Sequence, residues 1–204
     1  MINISPHNLG NYIVPNDTKN GICVDIGCNV GSFTRKYYNH FSKIFYYEPF
    51  KDCFEVCQKF SQNYDHICGY NLAAWSESGK NVNILAHSNQ DSGSSAIESS
   101  SLNDEWSSED IVHSVKTISL EDILIQCGGN ITYCKSDCET SEYHIFLNKD
   151  LTGIMYIGME IHHQMGPQKQ AELIKHILTT HDLVYGSHGY TPFNREILFR
   201  RKNT

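Results

Sequence analysis

Two sets of charged side chains in this sequence are spaced to act together. Lys135, Asp137 and Glu139 alternate directly after an apolar run, and Glu160 and His162 alternate at the end of another. Side chains two positions apart lie on the same side of an extended chain. Carboxylate and imidazole groups can accept a proton from a weak nucleophile, so these residues are candidates for general base catalysis. If Lys135 faces the sheet interior, it must pair with an acid, because an unpaired buried ammonium group is costly.

The second of these sets allows two kinds of site. In one, His162 is a general base or contacts the substrate. In the other, Asp137, Glu160 and His162 bind a divalent metal ion, because carboxylate oxygen and imidazole nitrogen are common metal ligands. We favour the first interpretation and assign no metal ligand. Salt bridges at two strand ends would explain the same spacing on structural grounds alone.

The acids need elements that bring them together, and the first such element is a turn that contains two glycines. Residues 21–24 form a short apolar run typical of a buried parallel strand. Asp25 follows at its carboxyl end, and residues 32–41 have aromatic residues at helical spacing. Gly27 allows the sharp turn, and Gly31 allows a ligand to approach the backbone at the helix start. The unpaired N–H groups at that helix start suit an anionic group.

A second strand is predicted at residues 43–47, and Glu48 follows it about twenty residues after Gly27. An acid at this position accepts hydrogen bonds from the two hydroxyls of a ribose. The glycine spacing is D-x-G-x-x-x-G rather than the G-x-G-x-x-G of dinucleotide sites, which disfavours a dinucleotide-dependent oxidoreductase. After a third predicted strand, Ala73 is small enough for an adenine to lie against the backbone. A packed strand end explains this alanine equally well.

These residues resemble the S-adenosylmethionine site of class I methyltransferases, through V-D-I-G-C-N-V-G at 24–31 and Y-E-P-F at 47–50. Three later stretches narrow the resemblance to the FkbM-type methyltransferases: V-K-T-I-S-L-E-D at 115–122, K-S-D-C-E at 135–139 and E-I-H at 160–162. The order of the stretches is similar to that of the family over roughly residues 20–165. One position departs from the family, because Thr140 stands where the family usually has glycine.

The resemblance implies a methyltransferase that uses S-adenosylmethionine to methylate a hydroxyl of a carbohydrate, a glycolipid or a related small molecule. Together with the spacing, it assigns the cofactor contacts to Asp25, Gly27, Asn29, Gly31, Ser32, Glu48, Pro49, Ala73 and Asp137. It assigns the catalytic roles to Lys135, Asp137, Glu139 and His162. The departure at Thr140 keeps an alternative open, in which the chain binds the cofactor without turnover.

The alternation of strand and helix patterns predicts an α/β fold, a Rossmann-like three-layer sandwich. We expect a seven-stranded, mostly parallel sheet that ends in a C-terminal antiparallel hairpin at residues 182–186 and 196–199. The fourth and fifth strands of this sheet are predicted at residues 131–136 and 154–161. Chain order should reverse between the first and fourth strands, and ligands of such sheets bind at that point.

Other segments have weaker patterns. Residues 1–20 are expected to be a lead-in segment that could lie over the cofactor, and residues 21–204 to form one methyltransferase-type domain. Residues 88–110 are rich in Ser, Asn and Asp, which predicts a surface loop where a lid could lie. Pro49 is expected to open a helix, and residues 82–86 to form an edge strand.

The composition indicates which binding partners and which cellular compartment to expect. The net charge of −7 and the pI of about 5.8 argue against general nucleic-acid binding, which requires cationic groups. No apolar run approaches the roughly 20 residues that span a bilayer. The first residues lack a signal-peptide pattern, so we expect a cytoplasmic protein whose eight cysteines are reduced. No C-x-x-C pair indicates zinc. The sequence does not predict an oligomeric state.

Overall fold

The computed structural model describes residues 12–86, 95–97, 111–186 and 195–203. The strands, numbered in chain order, are β1 (Ile22–Ile26), β2 (Lys43–Tyr47), β3 (Ile67–Tyr70), β4 (Ala73–Trp75), β5 (Asn81–Ala86), β6 (Ser95–Ile97), β7 (Ile111–Ser119), β8 (Ile131–Ser136), β9 (Ile154–Ile161), β10 (His181–Tyr185) and β11 (Arg195–Arg201). The α-helices are α1 (Ser32–Tyr37), α2 (Lys51–Ser61), α3 (Leu120–Gln126), α4 (Glu142–Phe146) and α5 (Pro167–Thr180). Short 3-10 helices occur at Asn16–Thr18 and His163–Met165.

The larger sheet has seven strands in the order β10-β11-β9-β8-β1-β2-β3. The strands from β9 to β3 pair in parallel, whereas β11 pairs antiparallel with both β9 and β10. This confirms the predicted fold, including the C-terminal hairpin. The chain order reverses between β1 and β8, which are neighbours in the sheet. The carboxyl ends of these two strands therefore border the crevice where ligands of open α/β sheets bind.

A second sheet of four strands, in the order β4-β7-β5-β6, was not predicted. The hairpin strand predicted at residues 82–86 is observed as β5, but its predicted edge position was wrong, because β5 lies between β7 and β6 and pairs antiparallel with both. Of the predicted loop at 88–110, residues 95–97 form β6, and the remainder lies outside the described residues. The predicted lead-in segment is described only from residue 12 onward.

Local sequence signals predict the start of α3 correctly, but not the start of α2. Ser119 precedes α3, and its hydroxyl accepts the N–H of Asp122 at 3.3 Å, as expected of an N-cap residue. The prediction for Pro49 was wrong, because α2 begins at Lys51 with Phe50 as its cap. Pro49 belongs to the link between β2 and α2, which leaves it beside the crevice.

Both faces of the larger sheet are covered by apolar side chains, as three layers require. Val24 and Ile26 of β1 face a cluster on one side, and Cys23 faces an aromatic cluster with Tyr46 and Tyr133 on the other. The eight cysteines are free thiols, and six of them are buried. None of the helices in the described part of the chain has the length and apolar character needed to span a bilayer.

Candidate functional site

A cavity of about 280 Å³ lies at the carboxyl ends of β1, β2, β8 and β9. The second sheet and α2 close its other side. Residues from all these elements line it: Ile26, Gly27, Asn29, Tyr47, Glu48, Pro49, Phe50, Cys53, Ala73, Ala74, Ile84, Asp137, Cys138, Glu139, Ser141 and Glu160. Seven of the residues assigned from the sequence are among them. The cavity is therefore at the position where the sheet topology places a ligand.

The turn after β1 packs directly on the segment that follows β8. Gly27 has a φ of +69°, and a Cβ at this position would lie 1.9 Å from the carbonyl oxygen of Asp137. Only glycine fits, because both the left-handed backbone and the close approach exclude a side chain. The N–H of Asp137 in turn donates to the carbonyl of Ile26 at 3.1 Å. The turn after β1 and the segment after β8 are thus packed together, and we call this contact the joint.

Glu48 has a buried carboxylate, with 5% exposure of the residue, at the cavity wall. Its Oε2 accepts the N–H of Asn29 at 2.7 Å, and its Oε1 accepts the N–H of Phe50 at 2.8 Å. Burial raises the pKa of Glu48 to about 7, although the two N–H donors act in the opposite direction. Each oxygen keeps a lone pair for a further donor. The carboxylate is therefore held ready to accept two hydroxyl groups from a ligand in the cavity.

The expectation that Asp25 contacts the cofactor needs correction. Its carboxylate is fully buried outside the cavity lining, where Oδ2 accepts the hydroxyl of Thr34 at 2.8 Å and Oδ1 lies 3.0 Å from Nζ of Lys135. Gly31 and Ser32 also lie outside the lining. The strand places Asp25 one residue too early to reach the crevice, so it supports α1 and Lys135 instead.

Lys135 is buried and paired, as its sequence position required. Its Nζ donates to the carbonyl of Gly27 at 2.6 Å and to that of Ile26 at 3.3 Å, and lies 4.0 Å from Asp137. Burial lowers the pKa of Lys135, but Asp25 and Asp137 outweigh burial and raise it. The ammonium group does not line the cavity, which corrects its assignment as a catalytic residue. It is a positioning residue that ties the end of β1 to β8.

Asp137 and Glu139 both line the cavity, but not because the strand continues. β8 ends at Ser136, and the backbone turns left-handed at Glu139 (φ 48°) and Thr140 (φ 81°). The assumption of an extended chain was therefore wrong, although the side chains do converge. Oε2 of Glu139 lies 3.2 Å from Nε2 of His162, and Oδ1 of Asp137 lies 3.6 Å from it. Burial raises the pKa of Glu139 to about 7, while His162 acts in the opposite direction.

His162 lies behind these two acids instead of in the cavity wall, with an exposure of 1%. Its Nδ1 lies 3.4 Å from Oε1 of Glu142. Burial lowers the pKa of His162, but the carboxylates of Glu142, Glu139 and Asp137 outweigh burial and raise the pKa to about 9. Because His162 does not line the cavity, it does not reach a ligand there directly, whereas the sequence predicted a base in contact with the acceptor.

Besides lining residues such as Phe50, Cys53 and Ser141, sequence reasoning missed two buried polar residues next to the cavity. Glu142 is fully buried at the start of α4, and its Oε1 accepts the N–H of Cys138 at 2.6 Å. Tyr12, in the predicted lead-in segment, packs its ring 5.6 Å from Nζ of Lys135. An acid in the first turn of a helix usually lies in solvent, so the sequence carried no signal for Glu142. The only signal for Tyr12 was the expectation that the lead-in segment covers the site.

Comparisons with known proteins agree with this architecture. Residues 25–191 match the profile of a family described as the methyltransferase FkbM domain. The crystal structure of methyltransferase FkbM from Methylobacillus flagellatus KT has a similar fold, with 14% identity and a TM-score of 0.53. The match covers 88% of this chain and 43% of that protein, so this chain spans less than half of its length. No curated protein matches the sequence.

Two further solved structures are similar at lower scores. An rRNA methylase from Streptococcus thermophilus has 7% identity and a TM-score of 0.48, and the match covers 92% of each chain. TrmK from M. capricolum, in complex with S-adenosyl-homocysteine, has 11% identity and a TM-score of 0.40. That match covers 91% of this chain and 65% of TrmK.

Proposed function

Because the chain belongs to the FkbM methyltransferase family, we propose that it binds S-adenosylmethionine in the cavity and methylates a hydroxyl of a carbohydrate, a glycolipid or a related small molecule. The observation that carries this proposal is the carboxylate of Glu48. Two backbone N–H groups fix it at the end of β2, where Glu48 lines the cavity. This is the arrangement that a ribose with two adjacent hydroxyls requires.

The rest of the cofactor fits the neighbouring lining. Ala73 and Ala74 of β4 leave the backbone accessible, and Phe50 and Ile84 add apolar surface beside it, which suits an adenine ring. Gly27 and Asp137 line the opposite end of the cavity. The methionine part of the cofactor would lie there, between the turn after β1 and the segment after β8.

The acceptor end of the cavity is formed by Asp137, Glu139 and Glu160. S-adenosylmethionine supplies an electrophilic methyl group, so the protein has to orient an acceptor oxygen and remove its proton. We assign proton removal to Glu139, which lines the cavity and is held by the ring of His162 at 3.2 Å. Asp137 accepts a hydrogen bond from the same acceptor or from its neighbouring hydroxyl. Positioning of the acceptor accounts for much of the expected rate.

The charge of this end supports a neutral, hydroxyl-bearing acceptor. Three carboxylates border it, and the cavity lining contains no Lys, Arg or His among the described residues. Phosphates would be repelled there, whereas sugar hydroxyls donate hydrogen bonds to carboxylates. A glycan or small molecule is therefore favoured over a nucleic acid as the acceptor.

Two measurements test the proposal in sequence. Calorimetric titration with S-adenosylmethionine and with NAD distinguishes a methyltransferase site from a dinucleotide site, and only the first ligand should bind. Mass spectrometry of a panel of hydroxylated acceptors then detects a mass gain of one methyl group. Binding without any product would favour the alternative of a non-catalytic cofactor-binding protein. The left-handed conformation of Thr140, beside Glu139, is the feature that favours this alternative.

A further inference from the structure

We propose that Asp137, Glu160 and His162 bind one divalent cation at the acceptor end of the cavity. One ligand atom from each residue lies within 4.8 Å of the others. Neighbouring ligands of an octahedral ion with bonds of about 2.1 Å are about 3.0 Å apart and opposite ligands about 4.2 Å, so the side chains have to close in by rotation. The side chain of Asp137 is 30% exposed and free to make that rotation. We call these three residues the cation site.

A carboxylate faces the ring nitrogen of His162 that points away from the cation site, as is common for metal-binding histidines. Its Nδ1 faces Oε1 of Glu142 at 3.4 Å, and Glu142 is itself fixed by the N–H of Cys138. A carboxylate on the far side of the ring orients the imidazole so that the other nitrogen faces the ion. Nε2 of His162 accordingly faces Asp137 and Glu139, and a cation bound there would displace the proton that these acids stabilise on the ring.

A buried hydroxyl at the same place has no partner among the described residues. Tyr12 is 8% exposed, and its phenolic oxygen makes no hydrogen bond to them. The carboxylates that act on it most strongly are those of Asp137 and Glu160, after the effect of burial itself. Buried polar groups nearly always have partners. A water molecule bound to the cation would supply one, since it can donate to the phenolic oxygen.

The donor set indicates the class of ion. Two carboxylates and one imidazole suit a divalent cation that prefers oxygen ligands and also accepts nitrogen, and Mn²⁺ meets both conditions. Binding of the ion does not depend on methyl transfer. A catalytic role for it rests on the proposed function, because an ion at this end would polarise the acceptor oxygen and assist loss of its proton.

The test uses the full chain, treated with a chelator, desalted, and titrated with Mn²⁺ alone in the absence of S-adenosylmethionine. Electron paramagnetic resonance measures free Mn²⁺, and we expect one saturable site per chain. Glu160→Gln and Glu142→Gln should each weaken Mn²⁺ binding about 10- to 100-fold. Glu55→Gln is the matched control, because Glu55 is half exposed on α2 and pairs only with Lys51 among the described residues. It should bind as the unaltered chain does.

Absence of a saturable site, or equal Mn²⁺ affinity in the unaltered chain and in Glu160→Gln, would overturn the proposal. Circular dichroism checks that each variant is folded. If Glu160→Gln does not fold, Asp137→Asn replaces it, since its side chain is partly exposed. Cofactor affinity is measured separately by calorimetry. If the unaltered chain shows no saturable Mn²⁺ site but still binds the cofactor, the cation site alone is contradicted and the proposed function stands.

Discussion

The carboxylate of Glu48 accepts the backbone N–H of Asn29 at 2.7 Å, which joins the end of β2 to the turn after β1. The two residues are 19 positions apart in sequence. This bond fixes the carboxylate before a ligand arrives, so little conformational entropy remains to be lost on binding. It also means that the turn and the proposed ribose contact move together.

Replacing Glu48 with alanine should weaken S-adenosylmethionine binding at least tenfold. Hydrogen bonds to a charged group contribute about 1.5–3 kcal/mol each, and the ribose would lose two of them. Calorimetric titration measures the change, with Glu55→Ala on the exposed face of α2 as control. An unchanged dissociation constant in a folded Glu48→Ala protein would remove the ribose assignment.

The affinity for the cofactor should rise with pH through neutrality. Burial raises the pKa of Glu48 to about 7. The folded, ligand-free protein is therefore most stable with Glu48 protonated, and it loses this stability as the pH rises through 7. Hydroxyl donors favour the charged form, so binding opposes protonation. Lys135 and Asp25 lie near Glu48 and act in opposite directions on its pKa.

Calorimetry between about pH 5.5 and pH 8.5 should therefore show tighter binding at the upper end. Glu48→Gln lacks the pH dependence that Glu48 contributes. Subtracting its binding free energies from those of the unaltered chain therefore separates the titration of Glu48 from any titration of the ligand. If the difference in binding free energy between the two proteins does not vary with pH, Glu48 is not the group that accepts the ribose hydroxyls.

Glu139→Gln should lower turnover roughly 100-fold while cofactor affinity stays near that of the unaltered chain. The amide keeps the shape of the side chain but cannot take the proton of the acceptor. Turnover is measured by mass spectrometry on the acceptor found in the panel. Glu172→Gln on the surface of α5 is the control. Full turnover in Glu139→Gln would assign proton removal to another group.

Thr140→Gly should stabilise the protein by about 0.5–1 kcal/mol. Thr140 has a φ of 81°, and this conformation is less favourable for a β-branched residue than for glycine. Glycine also increases the entropy of the unfolded chain, which offsets part of the gain. Urea denaturation gives the free energy of unfolding. Ala171→Gly, at an exposed position of α5, provides the opposite case and should lose about 1 kcal/mol. A loss of stability in Thr140→Gly would show that the side chain makes compensating contacts.

The cysteines should all be reactive once the protein is denatured without reductant. In the folded state most are buried, and burial raises the pKa of Cys127 to about 12 and that of Cys23 well above its usual value. Alkylation followed by mass spectrometry should add few labels to the native protein and eight to the denatured one. Fewer than eight labels in the denatured protein would reveal a covalent pair.

The strands at the crevice could be predicted because their sequences carry the information locally. Apolar runs bounded by polar residues gave β2, β8 and β9 at their observed limits, and with them the positions of Glu48 and Asp137. The second sheet could not be predicted in the same way. β6 has three residues, and nothing in so short a stretch identifies its partner.

The arrangement of the acids was predicted only in part, for a physical reason. Glu139 and Thr140 adopt left-handed conformations although neither is glycine, so the residue types do not predict the turn. Burial of Glu142 and His162 depends on packing between α4 and the end of β9, which are distant in sequence. Their charges and pKa values are properties of that packing, and the sequence pattern does not contain them.

The contact between Gly27 and the carbonyl of Asp137 restricts how such a protein can diversify. A side chain at position 27 would displace the segment that carries the acceptor acids as well as the cofactor turn, so this position cannot be altered alone. The second sheet borders the cavity through Ala73, Ala74 and Ile84, away from that joint. Acquisition of a new acceptor by relatives built in this way should therefore proceed through changes in the second sheet, with the joint inherited unaltered.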